Sequence, residues 1–454
     1  MDSSWQEVQL QDIVTVLGDG LHGTPEYDEN GDYYFINGNN LENGNIVFRD
    51  KTKRVAHDQY LKHKKKLNDR TILVSINGTI GNVAYYNREK VILGKSACYF
   101  NLIDDVEKGF VRYVLSGSLF QNYLEQFATG TTIKNVSLKD MREFSFRLPP
   151  LHQQKTIARI LGSLDDKIEL NRKMNATLES MAQALFKSWF VDFDPVIDNA
   201  LAAGYPIPEA LHVRAETRKT LGDKCKPLPE AIQKHFPSRF VFTEEMGWIP
   251  EGWSPLPLSK AININPRVTL KKGVTAKFVD MKALPTSGYA INEVAEKEFS
   301  GGAKFENGDV LLARITPCLE NGKTGVVDFL GVNEPGFGST EFIVLRSRGE
   351  VSTPFIASLA RDEVFRQHCI TNMVGTSGRQ RVHNSCFDSY YVCLPNESGI
   401  LVEYHEMCSV NFKKITSLKK ESSTLTKLRD TLLPKLLSGQ LRIPNAEKLV
   451  EDAI

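Results

Sequence analysis

The stretch Ile157-Ala-Arg-Ile-Leu161-Gly-Ser-Leu164-Asp-Asp-Lys-Ile168-Glu-Leu-Asn171-Arg-Lys-Met-Asn175-Ala-Thr-Leu178-Glu-Ser-Met-Ala182-Gln-Ala-Leu185-Phe-Lys-Ser-Trp189-Phe190 decides the fold. Its apolar or small residues recur in alternating steps of four and three, with Asn171 and Asn175 on the same seam. That alternation is the mark of a coiled coil, whereas an ordinary surface helix carries a wider apolar stripe. Between His152 and Phe190 the only glycine or proline is Gly162. The spacing therefore predicts one uninterrupted rod of roughly 58 Å, at a rise of about 1.5 Å per residue. Polar seam residues such as Asn171 and Asn175 cost stability but fix register and partner.

A second rod is predicted from about Val402 to Leu437, striped by Ile415, Leu418, Leu425, Leu428 and Leu432, with Pro434 kinking or ending it. Neither stripe can face water alone, so the rods pack on each other. In a duplicated chain antiparallel packing gives a pseudo-twofold molecule, with a globular domain at each end of a rigid spacer.

The duplication shows in three ordered anchors. Trp5-Gln-Glu-Val-Gln-Leu10 returns as Trp253-Ser-Pro-Leu-Pro-Leu258, and Asp69-Arg-Thr-Ile-Leu-Val-Ser-Ile76 as Asp309-Val-Leu-Leu-Ala-Arg-Ile315. Gly130-Thr-Thr-Ile-Lys-Asn-Val136 returns as Gly375-Thr-Ser-Gly-Arg-Gln-Arg-Val382. Three matches in order at nearly one offset make a tandem repeat. Each copy reads as short strands between turns, followed by a helix. The first copy has strands at Tyr33–Ile36, Thr71–Val74, Asn82–Tyr85 and Ala97–Phe100, then a helix over Phe110–Gln126. The second has strands near Val310–Ala313, Gly325–Val327 and Phe342–Leu345, then a helix near Pro354–Cys369.

The 454 residues, 41% apolar and 24% charged, have the balance of a folded chain and are long enough for about three domains. No apolar run approaches the ~18 residues that cross a bilayer, and the start lacks a signal peptide, so a cytoplasmic protein is expected. Seven cysteines without a Cys-x-x-Cys pair encode neither a zinc site nor a redox motif. Net charge is only +1, yet residues 51–66 carry seven Lys/Arg against one Asp. Alone, that run is equally a solvated surface or a phosphate-binding stripe.

Self-sufficient catalysis is missing. Adenine methylation needs an Asn/Asp-Pro-Pro-aromatic loop and a glycine-rich cofactor turn; the nearest fragments are Asn265-Pro266-Arg267 and Asp194-Pro195-Val196. Gly94-Lys95-Ser96 and Gly322-Lys323-Thr324 imitate a phosphate loop, but Glu89 and Pro317 stand where its first glycine must be. Asp192 and Asp194 read as a helix terminus and turn, and no histidine spacing suits zinc. Two globular domains on a ruler, without chemistry, point to recognition.

The chain resembles the specificity subunits of type I restriction–modification systems. The resemblance rests on Leu148-Pro-Pro-Leu-His-Gln-Gln-Lys-Thr-Ile-Ala-Arg-Ile-Leu161, Leu164-Asp-Asp-Lys-Ile168 and Met181-Ala-Gln-Ala-Leu-Phe-Lys-Ser-Trp-Phe190, which are similar to that family's central conserved region. Lys427-Leu-Arg-Asp-Thr-Leu-Leu-Pro-Lys-Leu-Leu-Ser-Gly-Gln-Leu-Arg442 is similar to its distal one. Val402-Glu-Tyr-His-Glu-Met-Cys408 departs from the pattern by lacking Gln-Gln-Lys. The resemblance implies a non-catalytic subunit reading a bipartite double-stranded DNA target, one half-site per target recognition domain, with the rods setting the unread gap. It also implies docking of two modification subunits carrying S-adenosylmethionine, and of restriction subunits using ATP and magnesium; this chain itself holds no cofactor or metal.

The fold expected is α+β: two mixed α/β target recognition domains joined by two long antiparallel coiled-coil helices in a pseudo-twofold tandem duplication. The segments are residues 1–150 (first recognition domain), 151–190 (central helix), 191–400 (linker and second recognition domain), 401–441 (distal helix) and 442–454 (tail). Reading DNA takes cations for phosphates and donors or acceptors for base edges. In the first domain the candidates are His22 and Thr24, the basic Lys51, Lys53, Arg54 and Lys62, the turn residues Asn77 and Thr79, and Thr131, Thr132, Lys134 and Asn135 of the recurring loop. In the second they are Arg314, Thr316, Ser339, Thr340, Thr376, Ser377, Arg379, Gln380 and Arg381. Any one of these is more readily a surface turn than a base contact, whereas the recurring loop as a unit favours contact, since it carries basic or amide residues in both halves. Two other readings stay open: a self-contained modification or restriction enzyme, which the missing motifs oppose, and a protein-binding coiled-coil scaffold, which the basic loops oppose.

Overall fold

A computed structural model describes residues 5–42, 44–130, 133–222, 228–376 and 378–454. The chain forms two compact units, Met1–Glu169 with Ser422–Ile454, and Leu170–Glu421. Two long helices, Leu151–Phe186 and Gly399–Leu437, each give one part to either unit.

In the first unit, neighbouring strands of an antiparallel four-stranded sheet are Val14–Asp19, Ala97–Leu102, Thr71–Ser75 and Val83–Tyr85. The two central strands are buried throughout, as the apolar runs of the sequence require. A second sheet holds Arg54–Val55, Tyr33–Ile36 and Val91–Leu93, the last two parallel. Gln6–Gln9 pairs with Ser145–Leu148 and closes the domain.

The second unit repeats this plan. Its four-stranded sheet has the order Asn263–Ile264, Phe342–Arg346, Val310–Ala313, Thr324–Val326. Thr275–Val279 and Gly336–Gly338 form the matching parallel pair, flanked by Ala295–Glu298 and an added strand, Ala303–Phe305. Trp253–Pro257 pairs with Tyr391–Pro395, as Gln6–Gln9 does with Ser145–Leu148. The duplication read from three anchors thus extends to strand order and direction.

Each predicted domain helix is two helices. Phe110–Gln126 resolves into Lys108–Ser116 and Ser118–Phe127, broken where Gly117 turns extended at φ −76° and ψ 158°. The segment near Pro354–Cys369 resolves into Thr353–Arg361 and Glu363–Thr371. There Asp362 is extended, and its carboxylate accepts from the Phe365 backbone N–H at 3.1 Å. The apolar period runs across both breaks, so periodicity alone cannot see them; the glycine and the capping aspartate are the local signals.

The long helices pair antiparallel in each unit. In the first, Ile157, Leu161 and Leu164 share one core with Leu425, Leu432 and Leu436 and with Phe110, Val114 and Leu115 of the domain. Ile160 is buried there too, so the helix face is wider than a two-helix seam and belongs also to the domain core. In the second unit, Ala182, Phe186, Trp189 and Phe190 pack with Ile400, Leu401, Tyr404 and Cys408, and Phe186 meets Phe355 edge-on at 5.0 Å. Asn171 is 1% exposed, and its amide Nδ2 makes no hydrogen bond.

The first helix ends in a π-turn over Lys187–Val191, and left-handed Phe193 (φ 54°) starts the helix Asp194–Ala203. Asp194 is no metal ligand: Arg214 grips both its oxygens at 2.7 Å, and Ser188 Oγ donates at 2.8 Å. The second helix starts at Gly399, ahead of the expected Val402, and runs past Pro434 to Leu437. Gly439, at φ 70°, follows its end, a left-handed position that glycine adopts without strain.

Candidate nucleic-acid interface

Strand ends decide where the candidate residues go. In the first unit Asp19 sits opposite Cys98, and Ser75 opposite Ala97, so Val14–Asp19 and Thr71–Ser75 leave the sheet where Ala97–Leu102 enters it. In the second sheet Ile36 and Leu93 end level with each other. Leu21 N–H donates to Leu93 O at 2.7 Å, Gly94 N–H to Ile36 O at 2.8 Å, and Ile76 N–H to Ser96 O at 3.0 Å. One edge of the unit therefore gathers the loops that follow both sheets.

The recurring loop joins that edge. Asn135 bridges Asn77 and Thr129, Gly78 N–H donates to Lys134 O at 2.9 Å, and Asn77 Nδ2 donates to Asn135 Oδ1 at 3.1 Å. Asn77, Thr79, Lys134 and Asn135 are thus brought together, with His22 and Thr24 exposed on the neighbouring loop. Thr131 and Thr132 lie outside the described residues. His22 leans on Asp19, and Lys134 is ion-paired with Glu125.

The basic run divides. Lys53 O accepts from Phe35 N–H at 2.9 Å and Arg54 pairs across from Tyr34, so Lys51 lies toward the loop edge. Lys62 follows on the helix His57–His63, leading away from it. The Arg54 guanidinium lies 4.8 Å over the Tyr34 ring and donates to its hydroxyl at 2.8 Å. Among the described residues no carboxylate pairs with Lys51, Lys53, Arg54 or Lys62, all of them exposed. Unneutralised cations on a surface otherwise laced with ion pairs are suited to phosphate.

In the second unit the equivalent edge is tied more tightly. Val382 N–H donates to Arg314 O at 2.9 Å, Thr316 N–H to Gln380 O at 3.1 Å, and Arg314 N–H to Glu341 O at 3.0 Å. Arg314, Thr316, Ser339, Thr340, Gln380 and Arg381 are thereby neighbours. The Arg381 fork is bidentate on Glu341, with Nε at 2.9 and 3.0 Å and Nη2 at 2.7 Å, and this holds the Glu341 carboxyl below the usual range. Ser339 Oγ accepts from Glu341 N–H at 3.2 Å. Arg379 and Thr376 are exposed, and Arg379 has no ion pair among the described residues. Ser377 lies outside the described residues. Arg314 is half-buried, and its Nε makes no hydrogen bond.

The sequence did not disclose the clamp from Glu341 to Arg381, because a carboxylate forty residues away leaves no local mark. Of the two lookalike phosphate loops, the second has a structural role: Lys323 Nζ donates to Met281 O at 2.8 Å. Among the described residues no group of three His, Cys, Asp or Glu could hold a metal ion, and no helix is long and apolar enough to cross a membrane.

A family model described as type I restriction modification DNA specificity domain matches residues 2–180. Over 445 residues the chain is 24% identical to the type I restriction enzyme MjaIX specificity subunit of Methanocaldococcus jannaschii, covering 97% of this chain and 94% of that one. It is 26% identical over 339 residues to the HindI specificity subunit of Haemophilus influenzae, covering 68% and 72% respectively. The crystal structure of an S subunit from M. genitalium shares the fold, with a TM-score of 0.51 at 19% identity, covering 96% of this chain and 97% of that one.

Proposed function

As the chain belongs to the specificity subunits of type I restriction–modification systems, we propose that each unit's loop edge reads one half of a bipartite DNA target. The observation that carries this reading is the repeat itself: two units of one topology gather recognition-type side chains at the same edge. A non-catalytic reader needs both positioning and readout. Lys51, Lys53, Arg54 and Lys62, which have no ion pair among the described residues, bind phosphates by releasing counterions, which positions the duplex without reading it. The planar ends of Arg379 and Gln380, and the linked amides of Asn77 and Asn135, supply base readout, since guanidinium suits guanine and carboxamide suits adenine in the major groove. Arg381, gripped by Glu341, aims the loop.

In this reading the long helices set the unread gap and dock two modification subunits, which bring S-adenosylmethionine to an adenine in each half-site. Restriction subunits add ATP- and magnesium-dependent cleavage, and the assembly works in the cytoplasm, away from membranes.

The test is to assemble the chain with its modification subunits and map the methylated adenines. A bipartite motif is expected, and inserting about one helical turn within residues 163–185 should change the gap while preserving both half-sites. A continuous motif, or half-sites altered at an unchanged gap, sinks the reading. The chain alone, given S-adenosylmethionine, ATP and magnesium, should neither methylate nor cut DNA; methyl transfer by this polypeptide would favour a self-contained enzyme.

A further inference from the structure

Two tripeptides that carry no catalytic role, Gly94-Lys95-Ser96 and Asn265-Pro266-Arg267, fall into place once the two units are compared. Residues 94–96 connect Val91–Leu93 to Ala97–Leu102. The same connection in the second unit, between Gly336–Gly338 and Phe342–Arg346, is Ser339-Thr340-Glu341, which stands at the recognition edge. Conversely, residues 265–267 follow Asn263–Ile264 as the loop holding His22 and Thr24 follows Val14–Asp19. Each tripeptide is the missing counterpart of a loop already placed at the edge of the other unit.

The local geometry fits that assignment. Ser96 Oγ accepts from Gly38 N–H at 2.8 Å and bonds Asn37 Oδ1 at 3.0 Å, while Ser96 O holds Ile76, the neighbour of Asn77. A Cβ at Gly94 would stand 2.2 Å from Asn37 Oδ1, so the glycine there allows close packing of the turn and does not cradle a phosphate. This leaves Lys95 at the tip, exposed and, among the described residues, without an ion pair, while Lys134 on the adjoining loop is neutralised by Glu125. In the second unit Asn265, at φ 48°, exchanges hydrogen bonds with Val344 at 2.7 and 2.9 Å, and its Nδ2 donates to Asn384 Oδ1 at 3.2 Å. Two residues on, Arg267 is exposed and has no ion pair among the described residues.

We propose that Lys95 and Arg267 are specificity-determining DNA contacts, Lys95 at a base edge of the first unit's half-site and Arg267 at one of the second's. The proposal rests on the reading that these loop edges bind DNA. An ammonium or guanidinium held on a braced turn among amide-bearing loops can donate to guanine O6 and N7.

The test uses the chain assembled with its modification subunits, on a cognate duplex and on duplexes altered in one half-site. Lys95→Ala should weaken cognate binding about tenfold or more and erase discrimination at one base pair of the first half-site, leaving the second intact. Arg267→Ala should do the converse. Arg379→Ala serves as the reference for the underlying reading. If it impairs discrimination while both new variants match the wild type, the proposal is wrong and the reading stands. If all three match the wild type, the reading itself fails. Equal weakening on cognate and altered duplexes would place the two side chains on the backbone and overturn their role in specificity.

Discussion

Glu341 holds the guanidinium of Arg381 through both of its oxygens, at 2.7 to 3.0 Å, across the base of the recurring loop in the second unit. A fork occupied in this way orients Arg379 and Gln380, which precede it in the loop, and cannot at the same time lie on a base. The pair is partly exposed, so it contributes little to stability, ~0–1 kcal/mol. Its effect is on recognition. Glu341→Ala and Arg381→Ala should each relax the second half-site by a similar factor, and the double variant should be no worse than either. Competition binding with half-site variants measures this; additive losses would mean that Arg381 reads a base independently of Glu341.

The basic run should behave differently from the loops. Changing Lys51, Lys53 and Lys62 to Ala should lower affinity for all duplexes alike. The slope of log K against log salt should flatten by about 0.9 for each phosphate that is no longer neutralised. Titrations at several salt concentrations decide it. A change in sequence preference with an unchanged salt slope contradicts the phosphate assignment.

Asp165, on the first long helix, accepts from Arg112 Nη2 and from the Tyr113 hydroxyl at 2.6 Å, and from Arg429 Nη1 at 2.8 Å. It pins the domain and the second helix together within the first unit. Asp165→Ala leaves a poorly exposed Arg112 without its carboxylate, so we expect a loss of about 1–3 kcal/mol. Chemical denaturation of the assembled protein checks this, and an unchanged midpoint would remove Asp165 from the account.

Asn171 places an amide Nδ2 that makes no hydrogen bond at a buried helix position. Leaving a buried donor unmade costs about 1–3 kcal/mol, so Asn171→Leu should raise the melting temperature. The sequence assigns this residue to fixing register, so the stabilised variant should also methylate sites of more than one gap length. A stabilised variant that keeps a single gap would show that register is set elsewhere.

Glu179 accepts from Tyr289 N–H at 2.8 Å, and burial raises its pKa above the usual value despite that bond and the nearby Arg361. The folded state therefore binds its proton more readily than the unfolded chain does. The stability contributed by this group is present below the unfolded pKa and is lost as pH rises through the higher folded pKa. Glu179→Gln, which keeps an acceptor for Tyr289, should gain on the wild type as pH rises from acid to neutral. Melting temperatures across that range test the sign; a constant difference would mean that Glu179 does not titrate there.

The long helices, the strands of both halves and the duplication are set by the sequence itself. A helix hydrogen-bonds four residues away and a strand alternates every two, so both periods are written in adjacent residues. Seam spacing from Ile157 to Trp189 and three repeated anchors therefore suffice for the architecture. Where Gly117 and Asp362 break the domain helices was marked only by their residue types, since the apolar period passes through them. What tertiary structure alone decides is which loops share an edge and which charges are already taken. Asp19 meets Cys98, Asn77 meets Asn135 and Thr316 meets Gln380 only when the sheets close over long stretches of chain. Those closures turn Arg381 from a free fork into a clamped one and leave Lys95 bare at the tip of its turn. Pairing over such separations depends on the whole chain's packing, and no local window of sequence contains it.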